Sequence, residues 1–257
     1  MTTTKTTQAA STTGRFIWHE LVTGDVQRAL GFYGELFGWR SREMDMGPGG
    51  TYTLLSIGDK DVGGIAPPAT GQPPHWLGYV TSEDVDATAK SAKALGATIV
   101  VPPTDIPNVG RFALLIDPQG AAIAPMRSLD EAPEVERPAT GTFCWDELLS
   151  TDQAGSVAFH TKLFGYETKA MDMGPMGTYQ VLTKGEKQRG GIMQAPPGVP
   201  THWLAYVVVD DVDASAARVA RLGGKVVAPA ADIPGIGRFS VIQDPTGATV
   251  ALFKGAQ

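Results

Sequence analysis

The chain has 257 residues, 42% of them hydrophobic, which exceeds the usual size of one domain and predicts two modest cores. Its net charge of -6, with no cluster of lysine or arginine, argues against nucleic acid as a partner. A lone cysteine, Cys144, excludes an internal disulfide and a cysteine-rich zinc site.

The first 13 residues are threonine-rich and nearly free of apolar side chains, so we predict a disordered tail. They lack the apolar core of a signal peptide, and no later stretch approaches the roughly 20 apolar residues that span a bilayer. We therefore expect a cytoplasmic protein without a membrane partner. Export without a leader stays open.

A strand is predicted first, because Phe16, Trp18 and Glu20 alternate with Ile17, His19 and Leu21. A helix follows, with Asp25 as its N-cap and Gly38 as its stop. Three short strands come next, near 39–44, 51–57 and 62–66. The pattern then restarts with a strand at HWLGYV, a helix ending at Gly96, and strands near 97–101, 111–116 and 121–126.

The whole pattern occurs twice, 127 residues apart, as Trp18 and Trp145 illustrate. MDMGPGGTY recurs as MDMGPMGTY, HWLGYV as HWLAYV, and DIPNVGRF as DIPGIGRF. We therefore predict a tail over 1–13, one domain over 14–127, an acidic linker over 128–140, and a second domain over 141–257. Each domain contains two βαβββ units, which gives an α+β fold class.

The ordered set of motifs, "D…A..FY..LFGW", "GGI", "DVDA" and "DPQGA" or "DPTGA", resembles the vicinal oxygen chelate superfamily. That superfamily includes glyoxalase I, bleomycin resistance proteins and extradiol dioxygenases, and tandem members occur in bacteria. The resemblance implies a curved mixed sheet around a cavity in each domain. It also implies that the two domains replace the two subunits of a dimer, which gives a monomer with an internal pseudo-dimer or a weak homodimer.

Enzymes of this superfamily usually hold a divalent metal through His, Gln or Glu side chains at fixed positions. Here those positions carry residues that cannot bind a metal: Trp18, Leu77 and Ala124 in the first domain, and Trp145, Leu204 and Ala251 in the second. We therefore predict no cofactor at the usual place. A displaced metal site is the alternative.

Four polar residues are candidates for catalysis or for such a displaced site: Glu20, His75, Glu147 and His202. Strand parity places each of them on a predicted cavity face, where a histidine and a glutamate can exchange protons with a ligand. The alternative is structural, with the glutamates accepting hydrogen bonds from neighbours and the histidines ordering the turns before HW.

Aromatic residues on the same faces are candidates for binding a small planar or cationic ligand. They are Trp18, Tyr52 and Tyr79, with Trp145, Tyr179 and Tyr206 in the second domain. Arg111 and Arg238 are candidates for binding a carboxylate or phosphate of a ligand. Salt bridges to Asp105 and Asp232 are the alternative for the two arginines.

Three residues are interpreted as structural. His19 becomes Asp146 in the second copy, so it is structural or only the first half is active. Cys144 occupies the position of Ile17 on the predicted helix-facing side, where a thiol behaves as a small hydrophobe. His160 replaces Tyr33 on an apolar helix face and is predicted to lie in the core.

Three functions are compatible with these residues. The first is a metal-independent protein that binds a small molecule. The second is a glyoxalase-like lyase or isomerase, or a hydroxylase or dioxygenase type of oxidoreductase, that uses Glu and His groups or a displaced metal. The third is a regulatory scaffold for a protein partner. Whether the protein is an enzyme stays open at this point.

Overall fold

A computed structural model describes residues 13–47, 50–69, 71–130 and 133–256. The predicted disordered tail lies outside these residues except for Thr13. Each predicted domain contains one mixed sheet of eight strands, and both sheets have the same strand order. The α+β fold with two βαβββ units per domain is thereby confirmed.

The residues described in the first domain form eight strands and two α-helices. They are β1 (Phe16–Val22), α1 (Val26–Phe37), β2 (Arg40–Asp45), β3 (Thr51–Ile57), β4 (Lys60–Ala66), β5 (His75–Thr81), α2 (Val85–Ala94), β6 (Thr98–Ile106), β7 (Gly110–Ile116) and β8 (Ala122–Ser128).

The second domain repeats this order. It contains β9 (Phe143–Ser150), α3 (Gln153–Phe164), β10 (Glu167–Asp172), β11 (Thr178–Lys184), β12 (Lys187–Gln194), β13 (His202–Val208), α4 (Val212–Val219), β14 (Lys225–Ile233), β15 (Gly237–Gln243) and β16 (Thr249–Gly255).

The strand order in the first sheet is β2-β3-β4-β1-β5-β8-β7-β6, with β1 and β5 antiparallel at its centre. The second sheet has the corresponding order, with β9 and β13 at its centre. β1 and β5 are the first strands of the two units of the domain. Because they pair with each other at the centre of the sheet, their side chains lie next to each other there.

Each of the four α-helices in the described residues begins after an aspartate that accepts a hydrogen bond from a backbone amide three residues later. Asp25 caps α1 as predicted, and Gly38 ends it in the left-handed conformation that glycine favours. Strand β6 runs further than predicted, through Pro102 and Pro103. It lies at the edge of its sheet, where a proline does not break a ladder of hydrogen bonds.

A β-bulge in β1 corrects the predicted parity of its first residues. The pairing with β5 shifts between Phe16 and Trp18, so Ile17 is the extra residue. Ile17 packs with Trp18 and Leu77, whereas Phe16 packs with residues of the opposite face. The same bulge in β9 places Cys144 with Trp145 and not on the helix-facing side, so the predicted side of Cys144 is wrong.

The two largest clusters of buried hydrophobic residues are each shared by both domains, and a smaller cluster lies within each domain. The first unit of the first domain, with Tyr33 of α1, packs against the second unit of the second domain, with Leu252 of β16. The other cluster joins the remaining two units and includes Leu115 and Phe164. Neither domain therefore buries its helix-facing side alone.

Two hydrogen bonds across the interface are related to each other by the 127-residue repeat. The Trp39 indole donates to the Gly141 carbonyl at 2.7 Å, and the Tyr166 hydroxyl, at the equivalent position, donates to the Gly14 carbonyl at 2.6 Å. A twofold axis produces reciprocal contacts of this kind, so the two domains are related by a pseudo-twofold axis.

His19 and Asp146 are equivalent positions in the repeat, and they contact each other across this axis. His19 Nε2 lies 2.8 Å from Asp146 Oδ1, and both residues are buried, at 6% and 5% exposure. Identical residues would place two imidazoles or two carboxylates against each other here. The difference between the copies therefore forms a complementary pair, and His19 is structural, as one of the two predicted alternatives states.

No helix in the described part of the chain is long and apolar enough to cross a bilayer.

Candidate functional site

The sheet face that points away from the helices, here called the inner face, carries the predicted site. In the first domain its packed residues include Trp18, Leu77, Tyr79 and Phe112. In the second domain Trp145, Leu204, Tyr206 and Phe239 take these places. Side chains alternate along each strand, so beyond the bulge every second residue of the central strands reaches this face, such as Trp18 and Val22 from β1 and Leu77 and Tyr79 from β5.

Glu20 lies at the centre of a hydrogen-bonded network on the inner face of the first domain. The Tyr52 hydroxyl donates to Glu20 Oε2 at 2.8 Å, and the Tyr79 hydroxyl donates to Oε1 at 3.1 Å. The Trp18 indole N–H donates to the Tyr52 oxygen at 3.1 Å. The structure thus joins four residues that the sequence predicted separately, and we call them the inner-face network.

The second domain repeats the network around Glu147. The Tyr206 hydroxyl donates to Glu147 Oε1 at 3.2 Å, and Tyr179 also hydrogen bonds to this carboxylate. The Trp145 indole donates to the Tyr179 oxygen at 2.7 Å. In both domains the indole and the tyrosine that it contacts are only partly buried, so they form the open side of the site.

The second glycine of each GGI motif makes room for the network. Glu20 on β1 pairs with Gly64 on β4, and Tyr52 reaches over Gly64 from β3. A Cβ at Gly64 would overlap the Tyr52 hydroxyl, and one at Gly191 would overlap that of Tyr179. In the sequence GGI served only as one motif of the family resemblance, and this role was missed. The repeated Tyr and Gly in both copies were the available signal.

Burial dominates the electrostatics of the two glutamates. Loss of solvation raises the pKa of Glu20 and of Glu147 above the usual value, because the charged form loses its hydration. The tyrosine hydrogen bonds oppose this shift only in part. The same burial, with the nearby Glu20 charge, raises the pKa of Tyr79, so the tyrosines remain neutral donors.

His75 and His202 are the first residues of β5 and β13 and lie at the ends of these strands. Nδ1 of His75 is 2.9 Å from the Pro73 carbonyl, and Nδ1 of His202 is 2.8 Å from the Pro200 carbonyl. A carbonyl only accepts, so Nδ1 carries the proton in each case, and Nε2 of the neutral ring is left as an acceptor. The predicted structural alternative, ordering of the turn before HW, is therefore present. Their predicted catalytic role stays a prediction.

Arg111 and Arg238 do not contribute to the inner face. Arg111 bonds Asp86 at 2.7 Å and Asp105 at 2.8 Å, while Arg238 bonds its two equivalents in the second domain. On β7, Arg111 follows the parity of Leu115, which packs in an interdomain cluster. The salt-bridge alternative is therefore present, and the register places both arginines on the face opposite the network. Their predicted binding of a ligand stays a prediction.

The residues present do not fit the superfamily's metal. The usual ligand positions hold Trp, Leu and Ala on both inner faces. Among the described residues no group of three or more His, Cys, Asp or Glu side chains is arranged to hold a metal ion. Each inner-face carboxylate is instead bonded by tyrosine hydroxyls.

Two other predicted structural residues can now be placed. His160 is fully buried, as predicted, and its Nε2 lies 3.1 Å from Asp117 of the other domain. Tyr33, at the equivalent position, donates to Asp244 at 2.9 Å.

Burial raises the pKa of the Cys144 thiol to about 12, so this cysteine is not a thiolate nucleophile at neutral pH.

Comparisons with known proteins agree with this fold. Residues 15–124 match the Glyoxalase/Bleomycin resistance protein/Dioxygenase superfamily model, and residues 142–253 match a glyoxalase-like domain model. A Mycobacterium bovis protein named "Putative glyoxylase CFP32" is 37% identical, with 93% of this chain and 94% of that protein covered. Anthracycline biosynthesis protein DnrV of Streptomyces peucetius is 32% identical, with 92% of each covered.

Solved structures show the same architecture at low identity. The Mn(II)-bound glyoxalase from Novosphingobium aromaticivorans superposes with a TM-score of 0.66 at 16% identity, covering 95% of this chain and 82% of that one. The 2,3-dioxygenase LapB from Pseudomonas sp. KL28 gives 0.62 at 14% identity, covering 96% and 94%. The paired sheets, the tandem repeat and these matches establish that the chain belongs to the glyoxalase/bleomycin resistance protein/dioxygenase superfamily.

Proposed function

We propose that the protein binds a small organic molecule at the inner face of each domain and does so without the superfamily's divalent metal. One observation supports this most directly. Both domains keep a Trp–Tyr–Glu–Tyr network on the inner face, while the metal-ligand positions beside it hold side chains that cannot bind a metal.

The walls around the network favour a flat ligand. The Tyr79 and Phe112 rings lie 6.0 Å apart, and the Tyr206 ring lies 6.4 Å from Phe239 and 6.3 Å from Phe253. Rings at such separations pack against one another, and a ring face that stays open can contact another ring or a cation.

The test combines metal analysis with a ligand screen. Protein purified without a chelator or a histidine tag is analysed for bound metal, and a library of small aromatic compounds is screened by thermal shift before and after incubation with Mn²⁺ and Zn²⁺. We expect metal-free protein to bind compounds whose stabilisation is reduced in W18A/W145A. The variant E43Q/E167Q, which alters exposed strand residues, is the control.

A requirement for stoichiometric metal would contradict the metal-independent part of this proposal. A screen in which no compound binds at the inner face would contradict the binding function itself.

The second candidate is an enzyme in which Glu20 and Glu147 act as general acids or bases. The raised pKa of each carboxyl favours it, since a general acid-base group works best when its pKa lies near the working pH. His75 or His202 would orient the oxygens of the substrate. The names of the relatives, a glyoxylase and a biosynthesis protein, also support a catalytic function.

Turnover of any substrate found by the screen separates these two functions. If Glu20 and Glu147 act in catalysis, E20Q/E147Q lowers kcat about 10²-fold or more, while E43Q/E167Q leaves it unchanged. Wild-type kcat in E20Q/E147Q would exclude the acid-base role.

A further inference from the structure

We propose that the inner-face networks select a ligand that carries a protonated amine beside an aromatic or similarly flat group. This inference rests on the binding function proposed above and adds the chemical class of the ligand. It follows from the direction of every hydrogen bond in the network and from the absence of a protein cation beside the glutamates in the described part of the chain.

The Trp18 indole sets the direction of the hydrogen bonds. An indole N–H can only donate, so the Tyr52 oxygen accepts from it and the Tyr52 hydroxyl proton points to Glu20. The Tyr79 hydroxyl proton also points to Glu20, at the other carboxylate oxygen. Every donor of the network is therefore used within it.

With Glu20 ionised, the network offers a ligand acceptors only. The ionised Glu20 retains lone pairs on both oxygens, and the Tyr79 oxygen has a free acceptor position. A ligand carboxylate or phosphate would bring more acceptors and would meet no donor. A ligand ammonium group brings donors and a charge opposite to that of the glutamate.

Neither glutamate has a cationic partner among the described residues. The ion pairs within the described ranges involve other carboxylates, such as those of Asp61 and Asp86, and the groups that hydrogen bond to Glu20 are neutral tyrosines. Glu147 is only 9% exposed. A buried carboxylate without a counter-charge is costly, and a cationic ligand would supply that charge.

The surrounding rings suit the same group. Trp18 and Tyr52 are partly exposed, whereas Tyr79 is buried and its ring contacts Phe112. Aromatic faces attract ammonium groups, with tryptophan the strongest of the three ring types. The carboxylate and the rings therefore favour the same charged end of a ligand.

Three probes that share one ring and differ in charge test this inference: benzylammonium, benzyl alcohol and benzoate. Each is titrated into ¹⁵N-labelled full-length protein, and the Trp18 and Trp145 indole N–H signals are followed by NMR. W18F and W145F assign these signals. Because both indoles belong to the networks, their shifts report binding at the site itself and measure weak affinities.

We expect benzylammonium to shift both signals with a Kd well below those of benzyl alcohol and benzoate. In E20Q/E147Q its affinity falls about tenfold or more, as for loss of a hydrogen bond to a charged group. The control E43Q/E167Q, which removes the same charge from exposed positions, keeps the wild-type affinity.

Two outcomes would overturn the inference. One is binding of benzyl alcohol or benzoate at least as tight as that of benzylammonium. The other is a benzylammonium affinity that is the same in E20Q/E147Q as in wild type, or no detectable binding of benzylammonium to either protein. The function proposed above would survive either result, because the library screen tests that function without regard to charge.

Discussion

Gly64 and Tyr52 show how one missing side chain positions another. Glu20 on β1 is two strands away from Tyr52 on β3, and the strand between them presents only a hydrogen atom at Gly64. The tyrosine crosses that space and bonds the carboxylate. The polar network therefore depends on a residue that contributes no polar group.

We predict that G64A separates Tyr52 from Glu20. The added methyl group overlaps the Tyr52 ring, so the free energy of unfolding falls by about 1–3 kcal/mol, as for overpacking of a filled site. Urea unfolding measures this change, and the Trp18 indole NMR signal reports the loss of its acceptor. G31A is the control, because a Cβ there meets nothing within 4 Å. Equal stability of the two variants would contradict the role assigned to Gly64.

The raised pKa of Glu20 and Glu147 also predicts how stability depends on pH. Between the usual pKa and the raised one, the folded protein holds protons that the unfolded chain has released, so stability declines as pH rises through the folded pKa. Below the usual pKa the carboxyls are protonated in both the folded and the unfolded chain, and the stabilising contribution of the two glutamates is fully present.

Urea unfolding of wild type and E20Q/E147Q across about pH 4 to 8 checks this prediction. Other groups titrate in both proteins, so the prediction concerns the difference in the free energy of unfolding between wild type and the variant. We expect that wild type loses stability relative to the variant as pH rises. A difference that does not change with pH, or that changes in the opposite sense, would show that burial does not raise these pKa values.

Helix starts are the elements that the sequence specifies most locally. Four aspartates, Asp25, Asp84, Asp152 and Asp211, each precede a helix and bond an amide in its first turn. In contrast, the β-bulge at Ile17 depends on how β1 pairs with β5, and it decides which face each of the first residues occupies. The bulge at Ile17 and the cap at Asp25 are eight residues apart in the chain and differ in the range of the interactions that cause them.

We predict that D25A lowers the free energy of unfolding by about 1 kcal/mol, because the amide of Arg28 loses its acceptor. D25N is the matched control, since asparagine caps a helix about as well as aspartate. Urea unfolding compares the two variants. A loss in D25N as large as that in D25A would point to the charge instead of the cap.

At the scale of the whole molecule, the interface between the domains explains why the copies diverge. His19 and Asp146 lie against each other on the pseudo-twofold axis, where a symmetric dimer would place two identical residues. Fusion of the two copies in one chain permits a complementary pair there. His160 and Tyr33 differ in a related way, since each bonds an aspartate of the opposite domain.

We predict that H19D destabilises the protein by more than about 3 kcal/mol, because two buried carboxylates then face each other. H19D/D146H restores the pair in reverse and recovers most of that loss. Urea unfolding of both variants measures the coupling. The exposed Arg42–Asp61 pair provides the control, and R42D there costs about 1 kcal/mol or less. Failure of the exchanged pair to recover stability would mean that local packing, and not complementarity, fixes these residues.

The sequence by itself determined the repeat, the order of strands and helices, the helix caps and the sharing of one face by Trp18 and Glu20. These features follow from local periodicity and from a constant 127-residue separation. The tertiary structure alone decided the bulge at Ile17, the contact of His19 with Asp146, the partners of Arg111 and the reach of Tyr52 over Gly64. Each of these depends on strand register or on the fit between domains. Those are long-range contacts, and the periodic pattern of a single strand does not encode them.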